Sequence, residues 1–152
     1  MSEIAIRRAE EGDIAAIVAM LADDPLGRAR EDTSEPPAEC YAKAFRAVDA
    51  DPNQLLAVMT QDGRVVGTLQ LTFIAGLSHK GATRGQIEAV RVASDRRGAR
   101  LGQRMMEWAI AQCRARGCAQ VQLTTDRSRA DAHRFYDRLG FKPTHIGYKL
   151  GL

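Results

Sequence analysis

Arginine and glycine recur over a short stretch that precedes a run of helical spacing. The stretch reads DRRGARLGQRMMEW over residues 95–108 and contains Arg97, Gly98, Arg100 and Gly102. A helix that begins here presents backbone N–H groups without acceptors in the helix, and these groups attract phosphate together with the helix dipole. Glycine lets a ligand approach the backbone, and arginine adds charge-assisted hydrogen bonds. The stretch therefore predicts a site for a phosphorylated ligand.

Two widespread phosphate-binding patterns do not fit this stretch. It lacks the Gly-Lys-Ser/Thr ending of the P-loop, and the spacing of Gly98 and Gly102 is not that of the dinucleotide pattern G-x-G-x-x-G. A purely structural alternative stays open. In that alternative Gly98 closes a turn and Gly102 lets a helix pack against a sheet.

A carboxylate lies within the apolar run QIEAVRVAS over residues 86–94. Burial of an unpaired Glu88 would be costly, and it would raise the pKa of the carboxyl and make it a better base. The alternative is a glutamate that is exposed at a strand edge or paired with Arg91. His133 and His145 are the remaining groups for proton transfer, but single histidines in such positions are more typical of packing or the surface.

Hydrophobic periodicity places these residues on an ordered series of strands and helices. Asp13 is expected to cap the first helix, and Asp62-Gly63 predicts a hairpin turn. The predicted strands span residues 4–9, two runs within 54–74, 86–94, 119–126 and 144–152. The predicted helices span residues 12–23, 38–51, 99–116 and 130–139, with loops at 24–37 and 75–85. This order predicts an α/β (α+β) fold around a mixed sheet.

Composition limits the class of protein. The 152 residues suit one domain, and 45% apolar with 27% charged residues is the ordinary globular range. The sequence has neither a membrane-length apolar run nor a signal-peptide core near its start, so we expect a cytoplasmic protein. Cys40, Cys113 and Cys118 form no disulfide set or metal pair, so we expect reduced thiols and no metal site. The net charge is +3, and the local excess of Arg96, Arg97, Arg100 and Arg104 suits an anionic ligand. Charge alone leaves nucleic acid, a phosphorylated cofactor and an ordinary solvated surface open.

At this point the chain resembles the GNAT superfamily of N-acetyltransferases. The pyrophosphate loop of that family reads Q/R-x-x-G-x-G/A, and RGARLG (97–102) matches it at Arg97 and Gly102, with Arg100 where the family usually has glycine. IEAVRV (87–92) is similar to the family's fourth strand, and AHRFYDRLGF (132–141) is similar to its A-x-x-x-Y-x-x-x-G-F helix and turn. The likeness extends over nearly the whole chain.

The resemblance implies a fold, a cofactor and a reaction. It implies one domain over residues 1–152, with a mostly antiparallel sheet of about six to seven strands and about four helices. It implies acetyl-CoA as cofactor and a primary amine of a small molecule or peptide as acceptor. The implied cofactor contacts are Val90, Arg91, Val92, Arg97, Gly98, Ala99, Arg100, Leu101, Gly102, Gln103 and Tyr136.

The resemblance also assigns chemical roles. It implies that Tyr136 is the general acid for the departing thiolate and that Glu88 can be the base for the amine, often through water. We expect direct attack in a ternary complex, because no cysteine or serine is placed as a covalent relay. Arg129 occupies a position where many relatives carry asparagine, and Asp126 with Arg127 would border the acceptor slot, as would the two long loops.

Two other function classes compete with this interpretation. A non-catalytic acyl-CoA-binding regulatory module would keep the same fold and cofactor. A small basic nucleic-acid-binding domain would explain the arginines, but it would explain neither Glu88 nor the glycines nor FYDRLGF, so we expect no nucleic-acid partner and no membrane partner. The C-terminal strand could pair with a second copy in a homodimer.

Overall fold

The fold is built on one sheet of five strands. The computed structural model describes residues 2–152. The strands are β1 Ile4–Arg8, β2 Gln54–Gln61, β3 Arg64–Ile74, β4 Arg84–Val92 and β5 Gln120–Gln122. The helices are α1 Ile14–Ala22, α2 Glu39–Ala50, α3 Ser78–Gly81, α4 Leu101–Ala115 and α5 Ala130–Arg138. No helix within residues 2–152 has the length and apolarity needed to span a bilayer.

The strands lie side by side in chain order. β1 to β4 are antiparallel neighbours, and β5 pairs parallel to β4 after the crossover through α4. Asp62 and Gly63 both have positive φ values, of 51° and 81°. This is the conformation that a two-residue hairpin turn requires, so the predicted turn between β2 and β3 is confirmed.

Helices cover both faces of the sheet. Met105 and Met106 of α4 are fully buried in the main core cluster together with Leu69 and Leu71 of β3. On the opposite face, Ile17 of α1 packs in a second cluster with Ala9, which precedes α1, and with Val58 of β2. The 3.6-residue period that predicted α4 thus corresponds to the stripe that it buries.

The predicted number of elements needs correction. Within residues 2–152 the sheet has five strands rather than six to seven, and the helices number five rather than about four. The predicted strand 119–126 is paired only at 120–122, because β4 and β5 separate beyond that point. The predicted strand 144–152 pairs with no strand of residues 2–152. The additional helix, α3, has only four residues and includes two with left-handed backbone, so no periodicity could predict it.

Asp13 acts differently from a helix cap. It precedes α1, but its carboxylate accepts a hydrogen bond from the Glu10 backbone N–H at 2.8 Å and from Arg7 Nη1 at 2.7 Å. The expectation that this side chain caps α1 is therefore wrong. The carboxylate instead ties the end of β1 to the turn before the helix, and the bond from Arg7 lowers its pKa.

Close contact between β4 and α4 gives the first prediction. Gly85 is buried, and a Cβ at this position would overlap the Sγ of Cys113. We expect Gly85→Ala to lower the free energy of unfolding by about 1–3 kcal/mol, because the added methyl group overfills the interface. Denaturant titration measures this. Gly12→Ala is the matched control, since a Cβ there meets nothing within 4 Å; equal stability of the two variants would contradict the packing.

Candidate active site

A cleft lies where the chain passes from β4 into α4. It encloses about 560 Å³ between the start of α4 and one side of α5. Seven of the predicted cofactor residues line it: Val92, Arg97, Gly98, Arg100, Leu101, Gly102 and Gln103. Sequence reasoning missed four further lining residues, Arg96, Phe135, Arg138 and Leu139. Three of these lie in or directly after α5, and only the fold brings that segment to the loop.

The first turn of α4 opens into this cleft. Among residues 2–152 no side chain caps the helix, and its first intrahelical bond at this end runs from the Arg104 N–H to the Arg100 carbonyl at 3.1 Å. The N–H groups of the three preceding residues have no acceptor within the helix. Gly98 has a φ of 88°, and no atom lies within 4 Å of the position of a Cβ. The backbone is therefore accessible to an anion.

Arg100 occupies the position at which the pyrophosphate loop usually has glycine. Its φ of 58° and ψ of 20° are left-handed. Glycine adopts this conformation freely, whereas another residue does so at a cost of about 1–2 kcal/mol. The backbone thus keeps the shape that glycine would give, and the exposed arginine side chain adds positive charge at the cleft.

Packing does not explain the glycine at 102. A Cβ there would lie 3.6 Å from Phe135 Cζ and 3.7 Å from Val92 Cγ2, which are ordinary contacts. The helix could therefore pack against its neighbours with alanine at this position. The alternative that Gly102 serves only helix packing loses its support.

β4 and β5 separate next to this cleft. They pair only between residues 84–86 and 120–122. Ala89 has a φ of 52°, and the register of β4 against β3 shifts beside it. This bulge comes directly before Val90, Arg91 and Val92, whose backbone lies beyond the part of β4 that β5 covers. The sequence did not predict the bulge, because alanine gives no signal for a positive φ.

Asp24 holds two arginines together beside the parted strands. Its Oδ2 lies 3.3 Å from Arg91 Nη2 and 2.7 Å from Arg129 Nη2. Burial alone would raise the Asp24 pKa, but the Gly27 N–H and the two arginines outweigh it and lower the pKa to about 2. Sequence reasoning missed Asp24, since 105 positions separate it from Arg129 and no pattern connects them.

Tyr136 lies next to this ion-pair cluster. Its ring is half-buried, with centroids 5.3 Å from Phe135 and 6.1 Å from Phe141. Burial raises the pKa of the phenol, although the positive charges of Arg91 and Arg129 oppose this effect. The hydroxyl is therefore protonated at neutral pH. Tyr136 does not line the cleft itself, but the adjacent Phe135 does.

Glu88 is exposed, so the structure favours the alternative of an exposed glutamate over that of a buried one. Its Oε1 accepts a hydrogen bond from Gln86 Nε2 at 2.8 Å, and Gln86 Oε1 accepts one from Gln122 Nε2 at 2.9 Å. Within residues 2–152 it makes no ion pair with Arg91, which pairs with Asp24 instead. A row of amides across two strands thus presents the carboxylate to solvent.

The other candidates have local roles or lie outside the cleft. Asp126 accepts hydrogen bonds from the Ser128 N–H at 2.9 Å and from its hydroxyl at 2.6 Å, and its own carbonyl lies 2.9 Å from His133 Nε2. These contacts build the turn before α5. His145 contacts the neighbouring Thr144 hydroxyl. Ala99 is exposed in the loop and does not line the cleft.

Comparison with known proteins decides the family. Residues 14–141 match the model of the Acetyltransferase (GNAT) family. The chain belongs to this family. The GNAT chain is 32% identical to aminoalkylphosphonate N-acetyltransferase of Salmonella typhimurium (strain LT2), over 114 residues that make up 75% of this chain and 73% of the relative. The family resemblance predicted from the three motifs is confirmed.

Solved structures share the fold of this GNAT chain. A transcriptional regulator from Bacillus halodurans C-125 superposes with a TM-score of 0.96 at 44% identity and covers 99% of this chain and 100% of its own. Glucosamine-6-phosphate N-acetyltransferase from Arabidopsis thaliana superposes with a TM-score of 0.80 at 21% identity, over 98% of both chains. The second likeness shows the fold alone.

The Asp24 cluster links folding of the GNAT chain to pH. The Asp24 pKa of about 2 lies below its usual value of 3.8. A lowered pKa contributes stability that is present above the unfolded-state pKa and is lost as pH falls from about 4 to 2. We expect Asp24→Asn to lower the free energy of unfolding by about 2 kcal/mol at pH 7 and to flatten the decline between pH 4 and 2.

Denaturant titration across this pH range measures both effects. Asp137→Asn is the control, because this residue is exposed on α5 and lies outside the cluster. It should match the unsubstituted protein. The same loss of stability in both variants, or an unchanged acid decline in Asp24→Asn, would contradict the role given to the cluster.

Proposed function

We propose that this acetyltransferase moves an acetyl group from acetyl-CoA to a primary amine by direct attack in a ternary complex. The observation that carries the proposal is the uncapped N-terminus of α4, which opens into a cleft beside the point where β4 and β5 part. A helix N-terminus with adjacent arginines suits a diphosphate, and free strand backbone suits an amide-containing chain.

The residues at the cleft fit coenzyme A. The backbone from Gly98 to Gln103 would hold the diphosphate, with Arg97 and Arg100 adding charge. The backbone of residues 90–92 would pair with the pantetheine amides. Bound acetyl-CoA supplies a thioester, whose carbonyl carbon accepts an amine. The space around two glycines supports this placement. A Cβ at Gly98 would meet no atom within 4 Å, and a Cβ at Gly102 would make only ordinary contacts, so neighbouring side chains do not block the backbone.

Tyr136 is the proposed general acid. Its raised pKa keeps the phenol protonated at neutral pH. The hydroxyl can therefore donate its proton to the sulfur as the carbon–sulfur bond breaks. The nearby Arg91 and Arg129 then stabilise the phenolate until solvent returns the proton.

Glu88 is the proposed base for the attacking amine. It is exposed, and the Gln86 amide orients its carboxylate. It can accept the amine proton directly or through one water molecule. A covalent route through Cys113 finds no support, because burial raises the pKa of this thiol to about 11 and keeps it protonated.

Binding of acetyl-CoA gives the first test of the proposal. We expect a calorimetric titration to show binding, and we expect Arg97→Glu with Arg100→Glu to weaken it by roughly 10- to 100-fold, because two charge-assisted contacts are lost. The control Arg114→Glu, at the exposed far end of α4, should bind within about twofold. No binding at high micromolar cofactor, or equal weakening by the control, would end the proposal.

Turnover separates the roles of the two catalytic groups. We expect Tyr136→Phe to lower kcat by about 100-fold or more with the KM for acetyl-CoA nearly unchanged, because the proton donor is lost and the ring is kept. Glu88→Gln should also lower kcat more than cofactor affinity. Thiol release with a panel of amines, including an aminoalkylphosphonate, measures both. An unchanged kcat would remove the role of the residue concerned.

A second candidate is a non-catalytic acyl-CoA-binding regulatory module. The observation that favours it is the 44% identity to a Bacillus halodurans protein described as a transcriptional regulator. Such a module would bind acetyl-CoA as described above but would release no thiol with any amine. The same panel therefore distinguishes the two functions.

A further inference from the structure

Three arginines meet a single carboxylate beside the proposed general acid. Asp24 Oδ2 contacts both Arg91 Nη2 and Arg129 Nη2. Burial lowers the pKa of Arg91 and the Asp24 carboxylate opposes this effect, but the positive charges of Arg129 and Arg30 lower the pKa further. Arg30 lies in the loop after α1. These four residues, named here the arginine cluster, carry three positive charges and one negative charge, which leaves an excess of positive charge.

Asp24 balances only one of the positive charges. Its Oδ1 accepts a hydrogen bond from the Gly27 N–H, and both arginines share its Oδ2. Within residues 2–152 the buried Nε of Arg91 has no hydrogen-bond acceptor. The side chains of Arg91 and Asp24 are only 17% and 11% exposed, so water screens the charge poorly. Unbalanced positive charge in such a place is costly unless an anion binds to it.

Stability of the loop after α1 does not account for both arginines. One guanidinium group is enough to hold the one carboxylate of that loop. Arg129 already makes the shorter contact with Asp24, at 2.7 Å against 3.3 Å for Arg91. The guanidinium group of Arg91 is therefore available for another anion.

The bulge in β4 turns the arginine cluster and the proposed base to the same face of the sheet. Gln70 of β3 lies opposite Glu88, and Thr68 lies opposite Arg91. Gln70 and Thr68 are two positions apart, so they share a face at a separation of about 7 Å. Glu88 and Arg91 are three positions apart and would face opposite sides in a regular strand. The additional residue of the bulge brings both to one face.

The proposed general acid borders the same space. Burial raises the pKa of Tyr136 and the positive charges of Arg91 and Arg129 oppose this effect, so both guanidinium groups lie near the phenol. The backbone of residues 90–92 lies beyond the part of β4 that β5 covers. In the proposed complex the thioester lies where this backbone, Tyr136 and Glu88 meet. The attacking amine therefore reaches the thioester beside the arginine cluster.

We propose that the acceptor amine carries an anionic group and that the arginine cluster binds this group while the amine faces Glu88. The inference rests on the proposed acetyl transfer and adds its substrate class, which is short primary amines with a phosphonate, phosphate or carboxylate group. Arg91 and Arg129 donate charge-assisted hydrogen bonds to the anion, and its charge balances the excess of the cluster. A cationic acceptor would be repelled at the same place.

The anionic group takes no part in the bonds that change. The amine nitrogen forms a bond to the acetyl carbon, and the bond between this carbon and the sulfur breaks. One amine proton passes to Glu88, and the sulfur receives a proton from Tyr136. The products are the acetylated amine, still anionic, and the free thiol of coenzyme A.

Three amines of equal length test the substrate class. 3-Aminopropanoate, 3-aminopropanamide and 1,3-diaminopropane present the same primary amine with an anionic, a neutral and a cationic end. We expect kcat/KM, measured by thiol release from acetyl-CoA, to be at least about 10-fold higher for the anionic amine than for the neutral one, and lowest for the diamine. 2-Aminoethylphosphonate, which carries more negative charge, should react at least as well as 3-aminopropanoate.

The outcomes separate this inference from the proposed function. Thiol release that is equal or faster with the amide or the diamine leaves acetyl transfer standing and overturns the anionic acceptor. Thiol release with none of these amines and none of the wider panel overturns both.

Removal of charge from the arginine cluster tests the residues. We expect Arg129→Gln to raise the KM for 3-aminopropanoate roughly 10- to 100-fold and to leave the KM for acetyl-CoA unchanged. The preference for 3-aminopropanoate over 3-aminopropanamide should fall by a similar factor. Weaker stabilisation of the Tyr136 phenolate affects both amines equally, so it cancels in this ratio. Arg129→Lys keeps the charge and should restore part of the preference.

Two further variants control for folding and for general loss of charge. Arg30→Gln removes an exposed charge of the cluster without touching the ion pairs of Asp24, and it should also lower the preference. Arg114→Gln removes an exposed charge at the far end of α4 and should leave the preference unchanged. A preference that survives both Arg129→Gln and Arg30→Gln, or that falls equally in Arg114→Gln, overturns the proposal.

Methylphosphonate tests the anion site without an amine. We expect it to inhibit competitively against 3-aminopropanoate but not against acetyl-CoA, because the diphosphate of the cofactor has its own site at the start of α4. Its uncharged dimethyl ester is the control and should not inhibit. Competition with acetyl-CoA alone would place the anion at the start of α4 and overturn the role of the arginine cluster, as would equal inhibition by the ester.

Discussion

The first turn of α4 carries backbone N–H groups that the helix cannot satisfy, and the position of this turn depends on how α4 packs. The crossover from β4 to β5 fixes the helix over the sheet, and the buried methionines of α4 hold it there. Gly85 lets the two elements come close. The N–H groups therefore open at the C-terminal end of β4, beside the strand that separates from its neighbour. The proposed anion binding and the access to the strand backbone both depend on this one placement.

Backbone conformation shapes both sides of the cleft. Ala89 and Arg100 are non-glycine residues with φ values of 52° and 58°. The first shifts the register of β4 before its free backbone begins, and the second turns the chain into α4. Strained residues of this kind persist where the surrounding structure determines them, and they concentrate at functional sites. The ion pairs of Asp24 add a further constraint. They connect the loop after α1 to Arg91 of β4 and to Arg129, which directly precedes α5.

The sequence predicted those features that arise from local patterns. The period of α4, the Asp62-Gly63 turn and the three family motifs led to the fold class, the family and most residues of the cleft. Features that depend on long-range contacts escaped prediction. Asp24 meets Arg129 across 105 positions, and the bulge at Ala89 follows from strand pairing rather than from residue type. The strand 144–152 was predicted from its alternation, but alternation does not say whether a neighbouring strand is available, and within residues 2–152 no strand pairs with it.

The measurement that tests this account most directly is a crystal structure with bound coenzyme A. The account predicts diphosphate oxygens about 2.7–3.2 Å from backbone nitrogens between residues 98 and 103, with the sulfur on the Tyr136 side of the parted strands. A diphosphate bound elsewhere, or an Arg100 side chain that fills the cleft and excludes the cofactor, would contradict it.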